Sequence, residues 1–332
     1  METETAVVAP PERHVFSYSA ISDYLKCPRS YFFGRVMGLE PEDTSWAALV
    51  GIAYHHAIAG WHTLARRDPV DVILRDFEQK LREEIATAQG RGLTIDGYDG
   101  EHSILEELPD AHEILTAYLA DPRNAVALVV NECRFEVEIR GSGKTAYCFK
   151  GYVDQIREHP DGTWHLVDLK TGATRPTDLL LSLDFQLSLY ALAMVKGKFF
   201  PRDRGLPPIV FGRRPDSLSL AMLRDYGQYK KNQFAETIKG ENKVKNPATG
   251  RMILEELPNP AFTTGYKKGD PKGPVFYRTL RSDFDLRQAE IDLSRVCASI
   301  RLKQFYRRPA AQGSCVMCRF TKECLEERAE PL

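Results

Sequence analysis

The clearest pattern of apolar and polar positions runs from Val126 to Arg140. Side chains on a strand point alternately to its two faces, so this alternation predicts a β-strand with one polar face. The apolar face carries Phe135, Val137 and Ile139, and the polar face carries Arg134, Glu136 and Glu138. Two β-branched and aromatic runs follow, Tyr147 to Glu158 and Thr163 to Lys170, with the turn signal His159-Pro160-Asp161-Gly162 between them. These runs predict a β-hairpin.

Helical periodicity covers much of the remaining chain. The predicted helices are Ser17 to Leu39 with a break at Cys27-Pro28, Trp46 to Arg66, Val70 to Gln89, Asp110 to Leu119, Leu181 to Lys196, and Phe284 to Phe305. Ser19 is the expected cap of the first helix, and Pro208 to Gly212 is expected to form a strand. This order of elements predicts an α/β protein with a mixed central β-sheet flanked by helices. No stretch approaches the length of a membrane span.

Length and charge suggest how the chain is divided. Its 332 residues are enough for a large core, and we expect a core of residues 15–215 and 284–328, an insertion at 216–283, and a disordered tail at 1–14. The net charge of -1 gives no general bias towards nucleic acid. From Arg224 to Arg281, however, twelve basic residues stand against six acidic ones, interleaved with aromatic residues. This composition suits single-stranded nucleic acid, and a solvated insertion without such a role is the alternative.

The predicted hairpin carries the main candidate chemistry. Asp168 and Lys170 are two residues apart and therefore project to the same face, while Asp154 lies almost opposite Asp168 on the neighbouring strand. Two close carboxylates repel unless a cation lies between them, and hard oxygen ligands favour Mg²⁺ or Mn²⁺. A lysine beside them can stabilise charge on a phosphate, so the cluster suggests metal-dependent phosphodiester hydrolysis. An Asp/Lys ladder on a surface hairpin is the alternative, but the apolar neighbours favour buried strands.

The segments Gly151-Tyr152-Val153-Asp154 and Asp168-Leu169-Lys170-Thr171-Gly172 resemble the PD-(D/E)xK nuclease superfamily. The resemblance is closest to its RecB-like exonuclease branch, which includes CRISPR-associated adaptation nucleases and the AddB and RecB nuclease domains. Two further segments match motifs of that branch, Gly51-Ile52-Ala53-Tyr54-His55 and Gln186-Leu187-Ser188-Leu189-Tyr190. The fold implied by this resemblance is a restriction-endonuclease-like α/β core.

The resemblance also implies roles for individual residues. His55, Asp154 and Asp168 would bind the catalytic metal, with the Leu169 carbonyl as a further candidate ligand. Lys170 would be the catalytic lysine, and Gln186 and Tyr190 would position the DNA or the site. Many relatives carry a glutamate four residues after the histidine, where this chain has Ala59. Either histidine of the pair His55-His56 would, considered alone, also fit a core position.

Seven cysteines give a second signal. Cys315, Cys318 and Cys324 form a C-x2-C-x5-C pattern, and three thiolates need a fourth ligand to complete a zinc site or a cubane cluster. In iron-sulfur members of the RecB-like group the fourth cysteine lies in a C-P-x-x-[YF] context, which Cys27-Pro28-Arg29-Ser30-Tyr31 matches. The resemblance therefore implies a 4Fe-4S cluster, with zinc as the alternative occupant.

Together these features predict a metal-dependent DNA exonuclease that acts at ends, with a preference for single strands. The odd cysteine number without a secretory signal predicts a reducing, cytoplasmic location. No G-x-x-x-x-G-K-[ST] motif occurs, so any unwinding would come from a helicase or recombination partner. The alternatives are an accessory DNA-binding module of a recombination or CRISPR-adaptation complex, and a nuclease directed at RNA.

Overall fold

A computed structural model describes residues 13–63, 68–141, 145–172, 176–201, 206–224, 274–308, 315 and 318–329. The strands are β1 (Arg13–Ser17), β2 (Asp43–Ser45), β3 (Thr94–Asp96), β4 (Ala127–Arg140), β5 (Ala146–Glu158), β6 (Trp164–Lys170), β7 (Lys198–Phe200), β8 (Ser217–Met222) and β9 (Val275–Thr279). The α-helices are α1 (Tyr18–Lys26), α2 (Pro28–Tyr31), α3 (Trp46–Thr63), α4 (Val70–Gly90), α5 (Gly100–Ala120), α6 (Asp178–Ser182), α7 (Phe185–Lys196), α8 (Asp283–Arg301) and α9 (Thr321–Ala329).

A seven-stranded mixed sheet forms the centre of the molecule. Its strand order is β7-β4-β5-β6-β8-β9, and β1 adds to β5 in parallel. The β4-β5-β6 meander is antiparallel, whereas β6 and β8 run parallel. The predicted mixed α/β architecture with flanking helices is thus confirmed.

Each face of the sheet carries its own hydrophobic core. On one face, α1, α7 and α8 pack against β4 and β5, with Phe135, Phe149 and Leu187 fully buried. On the other face, α3, α4 and α5 pack together and against β6 and β8, with Tyr54 and Phe77 fully buried. The β5-β6 hairpin predicted from the sequence therefore lies between two helical layers, and its strands are buried, as their apolar residues indicate.

Several helix boundaries differ from the sequence prediction. Ser17 rather than Ser19 caps α1, because the Ser17 hydroxyl accepts a 3.1 Å hydrogen bond from the Ala20 N–H. The short helix predicted from Asp110 is instead the second half of α5, which begins at Gly100 and contains Pro109. Burial of one face of this long helix against α4 outweighs the helix-breaking tendency of the proline.

The segment predicted as one helix from Leu181 to Lys196 forms two. α6 ends at Ser182, and α7 begins at Phe185 because the Asp184 carboxylate caps it by accepting a 2.7 Å hydrogen bond from the Leu187 N–H. The expected strand from Pro208 to Gly212 is reduced to an isolated bridge between Ile209 and Phe199. The strand that pairs with β6 in parallel is β8, which the periodicity did not reveal.

The expected boundaries of the tail and the insertion also shift. Arg13 already belongs to β1, so the sheet begins before the predicted end of the tail at residue 14. The interval 216–283 contributes β8 and β9 to the sheet, while its middle, 225–273, lies outside the described residues. Most of the basic and aromatic residues counted in this interval also lie outside the described residues. One of the counted residues, Arg281, is only 3% exposed and faces the interior.

One segment of the described chain, Asp178–Lys196, is long and apolar enough to cross a membrane by length and composition alone. Half of this stretch is buried inside the molecule, and α7 contributes Leu189 and Met194 to the core. Core helices of other proteins share this length and composition, so the segment is weak evidence for a membrane span.

Candidate active site

Four of the predicted site residues meet where β6 ends. His55 lies on α3, Asp154 on β5, and Asp168 and Lys170 on β6. The Nδ1 atom of His55 is 3.6 Å from Asp154 Oδ1, and the Leu169 N–H donates a 2.6 Å hydrogen bond to Asp154 Oδ2. Lys170 Nζ lies 2.7 Å from Asp168 Oδ2. The histidine, the two aspartates and the lysine are thus brought together, and a metal bond from the Leu169 carbonyl stays a prediction.

The register of the hairpin explains why the aspartates meet. Gln155 pairs with Val167, and continuing that register by one residue sets Asp154 opposite Asp168. The turn between the strands supports this register, because Gly162 adopts a positive φ of 78° that closes it tightly. The same-face projection of Asp168 and Lys170 then places both carboxylates and the ammonium on one side.

At two glycines of the matched motifs, neighbouring side chains leave no room for a Cβ atom. A Cβ atom at Gly51 would lie 2.9 Å from Thr171 Oγ1, so glycine lets α3 approach the end of β6 closely enough for His55 to reach Asp154. A Cβ atom at Gly151 would lie 2.9 Å from the ring of Phe135, which pairs with it across β4 and β5. Both glycines therefore allow close packing around the site.

A hydrogen-bonded chain extends from the lysine to α7. Lys170 Nζ donates to Gln186 Oε1 at 2.8 Å, and Gln186 Nε2 donates to the Tyr190 hydroxyl at 2.8 Å. The spacing of four residues places Gln186 and Tyr190 on one face of the helix, as the sequence predicts. Because Gln186 touches Lys170 directly, its position in the structure suits orientation of the ammonium group.

Glu132 is a member of this site that the sequence patterns missed. Its Oε1 atom lies 3.2 Å from His55 Nδ1, on the side of the imidazole that also faces Asp154. Asn131, next to it, donates a 2.8 Å hydrogen bond from Nδ2 to the Ala59 carbonyl. The carboxylate expected on α3 at position 59 is thus missing, while β4 brings a different carboxylate to the same histidine.

The backbone at Glu132 is unusual. Its φ of 46° lies in the left-handed region, which a residue with a Cβ atom rarely adopts within a strand. Such strain clusters at functional sites. The pairs on either side, Asn131 with Gln155 and Cys133 with Val153, set Glu132 opposite Asp154. Because several acidic residues share the polar face of β4, only this cross-strand register distinguishes Glu132 from the others.

Burial and charge act on the protonation of these groups. Burial alone would lower the pKa of His55, but the hydrogen bond to Glu132 and the charge of Asp154 raise it to about 9. Burial raises the pKa of Asp154, and the neighbouring charge of Asp168 raises it further. For Lys170 the burial effect is outweighed by the charge of Asp168, so its pKa is raised and the ammonium is kept. In the metal-free site, His55 and Asp154 therefore tend to hold protons, and a bound cation would displace these protons.

The arrangement fits a divalent metal ion. His55, Glu132 and Asp154 each present one ligand atom, and these atoms lie within 4.8 Å of one another. Neighbouring ligands of a six-coordinate Mg²⁺ lie about 3 Å apart, so a small closure of the three groups would complete a binding geometry. The buried Asp168 Oδ2 lies 2.7 Å from Lys170 Nζ, and a carboxylate retains lone pairs for a metal ion beside such a donor.

The cysteines predicted to hold a cluster all have free thiols. Cys27 separates α1 from α2, and Cys324 lies on α9. The Cys318 N–H donates a 3.3 Å hydrogen bond to the Cys315 carbonyl. None of the four is fully buried, and Cys315 is exposed.

Contacts between the first helices and the C-terminal segment bring these cysteines into one region. Arg29 Nε donates to Glu327 Oε2 at 2.8 Å, and the rings of Phe33 and Phe320 have centroids 5.9 Å apart. Among the described residues, no three sulfur atoms lie within 4.8 Å of one another. The assignment of the four cysteines to one metal or cluster site therefore stays a prediction.

Comparison with known proteins agrees with this geometry. A model of the PD-(D/E)XK nuclease superfamily matches residues 15–325. No curated protein matches the chain. A solved structure described as "Crystal structure of SSO0001" is similar at 12% identity, covering 92% of each chain with a TM-score of 0.32, which is too low to support an argument about fold. Because the family model spans nearly the whole chain, this protein belongs to the PD-(D/E)XK nuclease superfamily.

Proposed function

We propose that the protein is a metal-dependent DNA exonuclease that acts at free ends and prefers single strands. The observation that carries this proposal is the group of His55, Glu132 and Asp154 ligand atoms within 4.8 Å, beside the Asp168 and Lys170 pair. Membership of a nuclease superfamily supports hydrolysis of a phosphodiester bond. The exonuclease class follows from the motifs that resemble the RecB-like branch.

Each residue has a role in the proposed reaction. His55, Glu132, Asp154 and Asp168 would hold Mg²⁺ or Mn²⁺, which when bound supplies Lewis-acid activation of water and of the scissile phosphate. Lys170, kept protonated by Asp168, would donate to a phosphate oxygen and stabilise the negative charge that develops during attack.

Gln186 and Tyr190 would act through the lysine. The Gln186 amide fixes the direction of the Lys170 ammonium, and the Tyr190 hydroxyl fixes the amide. Burial raises the pKa of Tyr190 well above its usual value, so the phenol stays neutral and is available as a hydrogen-bond partner. Neither residue needs to touch the reacting atoms for this positioning role.

The direct test is digestion of end-labelled single- and double-stranded DNA by the full-length protein with Mn²⁺. Lys170→Ala should abolish cleavage while leaving DNA binding in Ca²⁺ and the thermal midpoint nearly unchanged. The control is Lys150→Ala, which removes a surface lysine of the same hairpin that pairs with Glu136. Wild-type cleavage by Lys170→Ala would contradict the mechanism. No cleavage by the wild type on single-stranded, double-stranded or flapped DNA would favour an accessory DNA-binding module.

We further propose that Cys27, Cys315, Cys318 and Cys324 hold a 4Fe-4S cluster that ties the first helices to α9. Free thiols on elements already joined by Arg29 and Glu327 support this. Anaerobically purified protein should be brown with four irons, and Cys315→Ser should bleach it, whereas Cys148→Ala in the sheet core should not. A colourless protein with stoichiometric zinc would contradict the assignment.

The proposed partners follow from the same chemistry. DNA with free ends is the substrate, and an ATP-driven helicase or a recombination protein would supply unwinding of long duplexes. A reducing, cytoplasmic location would suit a chain whose seven cysteines are all free thiols.

A further inference from the structure

An apolar ridge lies on α6 and the residue after it, close along the chain to the candidate active site. Leu179, Leu180 and Leu183 expose 66%, 63% and 65% of their surface, respectively. Residues three and four apart are neighbours on a helix, so these side chains form one patch, here named the leucine ridge. Leu181 points the opposite way and is 2% exposed in the sheet core. The ridge is therefore an outward-facing feature of a helix whose inner side is anchored.

Hydrogen bonds hold the ridge in place. Arg281 is 3% exposed, and its Nη2 donates to the carbonyls of Leu181 at 2.8 Å and of Asp184 at 3.2 Å. At the other end of α6, the Thr177 hydroxyl accepts a 3.2 Å hydrogen bond from the Leu180 N–H. Both ends of the short helix are thus fixed, and the exposed leucines are presented by a rigid support.

The ridge leads along the chain to a contact of the catalytic lysine. Leu183 is followed by Asp184, which caps α7, and Gln186 two residues later contacts Lys170 at 2.8 Å. The charges of Asp168 and Lys170 reach the Asp184 carboxyl. A molecule bound on the ridge would therefore lie next to the segment that contacts Lys170. A stably docked protein would hinder access to that segment, whereas the substrate itself would use it.

The depth of the site restricts what can enter. The side chains of Asp168 and Asp154 are 2% and 10% exposed, and that of His55 is 30% exposed. A phosphate on a flexible single strand can reach such buried groups more easily than a phosphate in a wide, stiff duplex. Opening of a duplex end would therefore help its phosphate to reach the metal ligands.

We propose that the leucine ridge separates the strands at a duplex end, by packing its side chains against the terminal bases while one strand enters the site. This proposal rests on the nuclease function proposed above. The stretch Leu179–Leu183 carries no charge, which suits base faces. The exposed Asp178 at the start of α6 repels phosphates. Apolar side chains wedged between base steps unstack them in other DNA-binding proteins.

The test compares two end-labelled substrates of identical sequence, a single strand and a blunt duplex, with full-length protein and Mn²⁺. The variant Leu179→Ser/Leu180→Ser/Leu183→Ser should lower the ratio of duplex to single-strand initial rates by about tenfold. The matched control is Leu105→Ser, which changes a 58% exposed leucine on α5. It should leave the ratio unchanged. A second measurement uses duplexes with 2-aminopurine at the terminal pair, bound in Ca²⁺, where the wild type should raise the fluorescence and the triple variant should not.

Each outcome decides the proposal. An unchanged rate ratio in the triple variant would overturn it, as would a wild-type enzyme that cleaves the single strand and leaves the duplex intact. If the wild type cleaves neither substrate, the nuclease function fails, and the 2-aminopurine signal then decides the ridge on its own. Equal fluorescence from wild type and triple variant would overturn it and favour a protein partner for the patch.

Discussion

Replacing Glu132 by glutamine tests whether β4 supplies a working carboxylate to the site. Glu132→Gln keeps the size of the side chain and removes its charge, 3.2 Å from His55 Nδ1. If Glu132 binds the metal and supports the imidazole, two properties should change together. The affinity for Mn²⁺ should fall, and the pKa of His55 in the metal-free protein should return towards its ordinary value.

The size of the effect follows from the electrostatics. The pKa of His55 is raised from 6.5 to about 9, which at about 1.36 kcal/mol per pH unit amounts to about 3 kcal/mol. Glu132 and Asp154 share this effect, with the Glu132 hydrogen bond the larger favourable contribution. We therefore expect Glu132→Gln to lower the pKa of His55 by about one pH unit or more. Loss of a ligand or of its support should weaken Mn²⁺ binding by about 10- to 100-fold.

Both quantities can be measured without turnover. Isothermal titration gives the Mn²⁺ affinity, and the pH titration of the His55 C2 proton by NMR gives its pKa. Glu138→Gln is the matched control, because Glu138 lies on the same strand but is exposed. An Mn²⁺ affinity within twofold of the wild type and an unchanged pKa of His55 would refute the assignment of Glu132 to the site.

Three further predictions concern protons, close packing and a buried cation. Because its pKa is raised, protonated His55 stabilises the metal-free protein fully below pH 6.5, and this contribution is lost as the pH rises through about 9. The thermal midpoint of the metal-free protein should therefore fall between pH 6.5 and 9. Over the same range the affinity for Mn²⁺ should rise, because the metal binds the neutral imidazole. Gly51→Ala should cost about 1 to 3 kcal/mol in chemical denaturation because of the contact with Thr171. Gly60→Ala on the same helix, with open space around it, should stabilise by up to about 1 kcal/mol, and equal effects would contradict the steric argument. Arg281→Lys should cost about 2 to 4 kcal/mol, because a lysine leaves some of the buried carbonyl groups unpaired, whereas the exposed Arg287→Lys should be neutral in the same assay.

The sequence was most informative where a local pattern determines geometry. The alternation in β4, the turn signal at Gly162 and the two-residue spacing of Asp168 and Lys170 predicted the hairpin and its shared face. The four-residue spacing of Gln186 and Tyr190 predicted their common helix face. These features depend only on the repeat of side-chain directions along a strand or a helix, which can be read from residue spacing.

Other features were decided by packing between distant segments. The long helix α5 runs through Pro109 because α4 buries one of its faces, and Asp184 divides one predicted helix into two by capping α7. The strand β8 joins the sheet through pairing with β6, more than forty residues away along the chain. Local propensity favoured other boundaries in each case, and tertiary burial outweighed it.

By itself the sequence determined a nuclease-like hairpin, an α/β core and a set of acids and thiols with recognisable spacing. Only the tertiary structure decided which carboxylate serves His55, because Glu132 shares its polar strand face with Glu136 and Glu138 and is distinguished solely by lying across from Asp154. Only the structure showed that Leu179, Leu180 and Leu183 are exposed on the segment that leads to Gln186, the partner of Lys170. Spacing along a chain fixes which residues share a face, whereas contact between distant strands and helices fixes which faces meet.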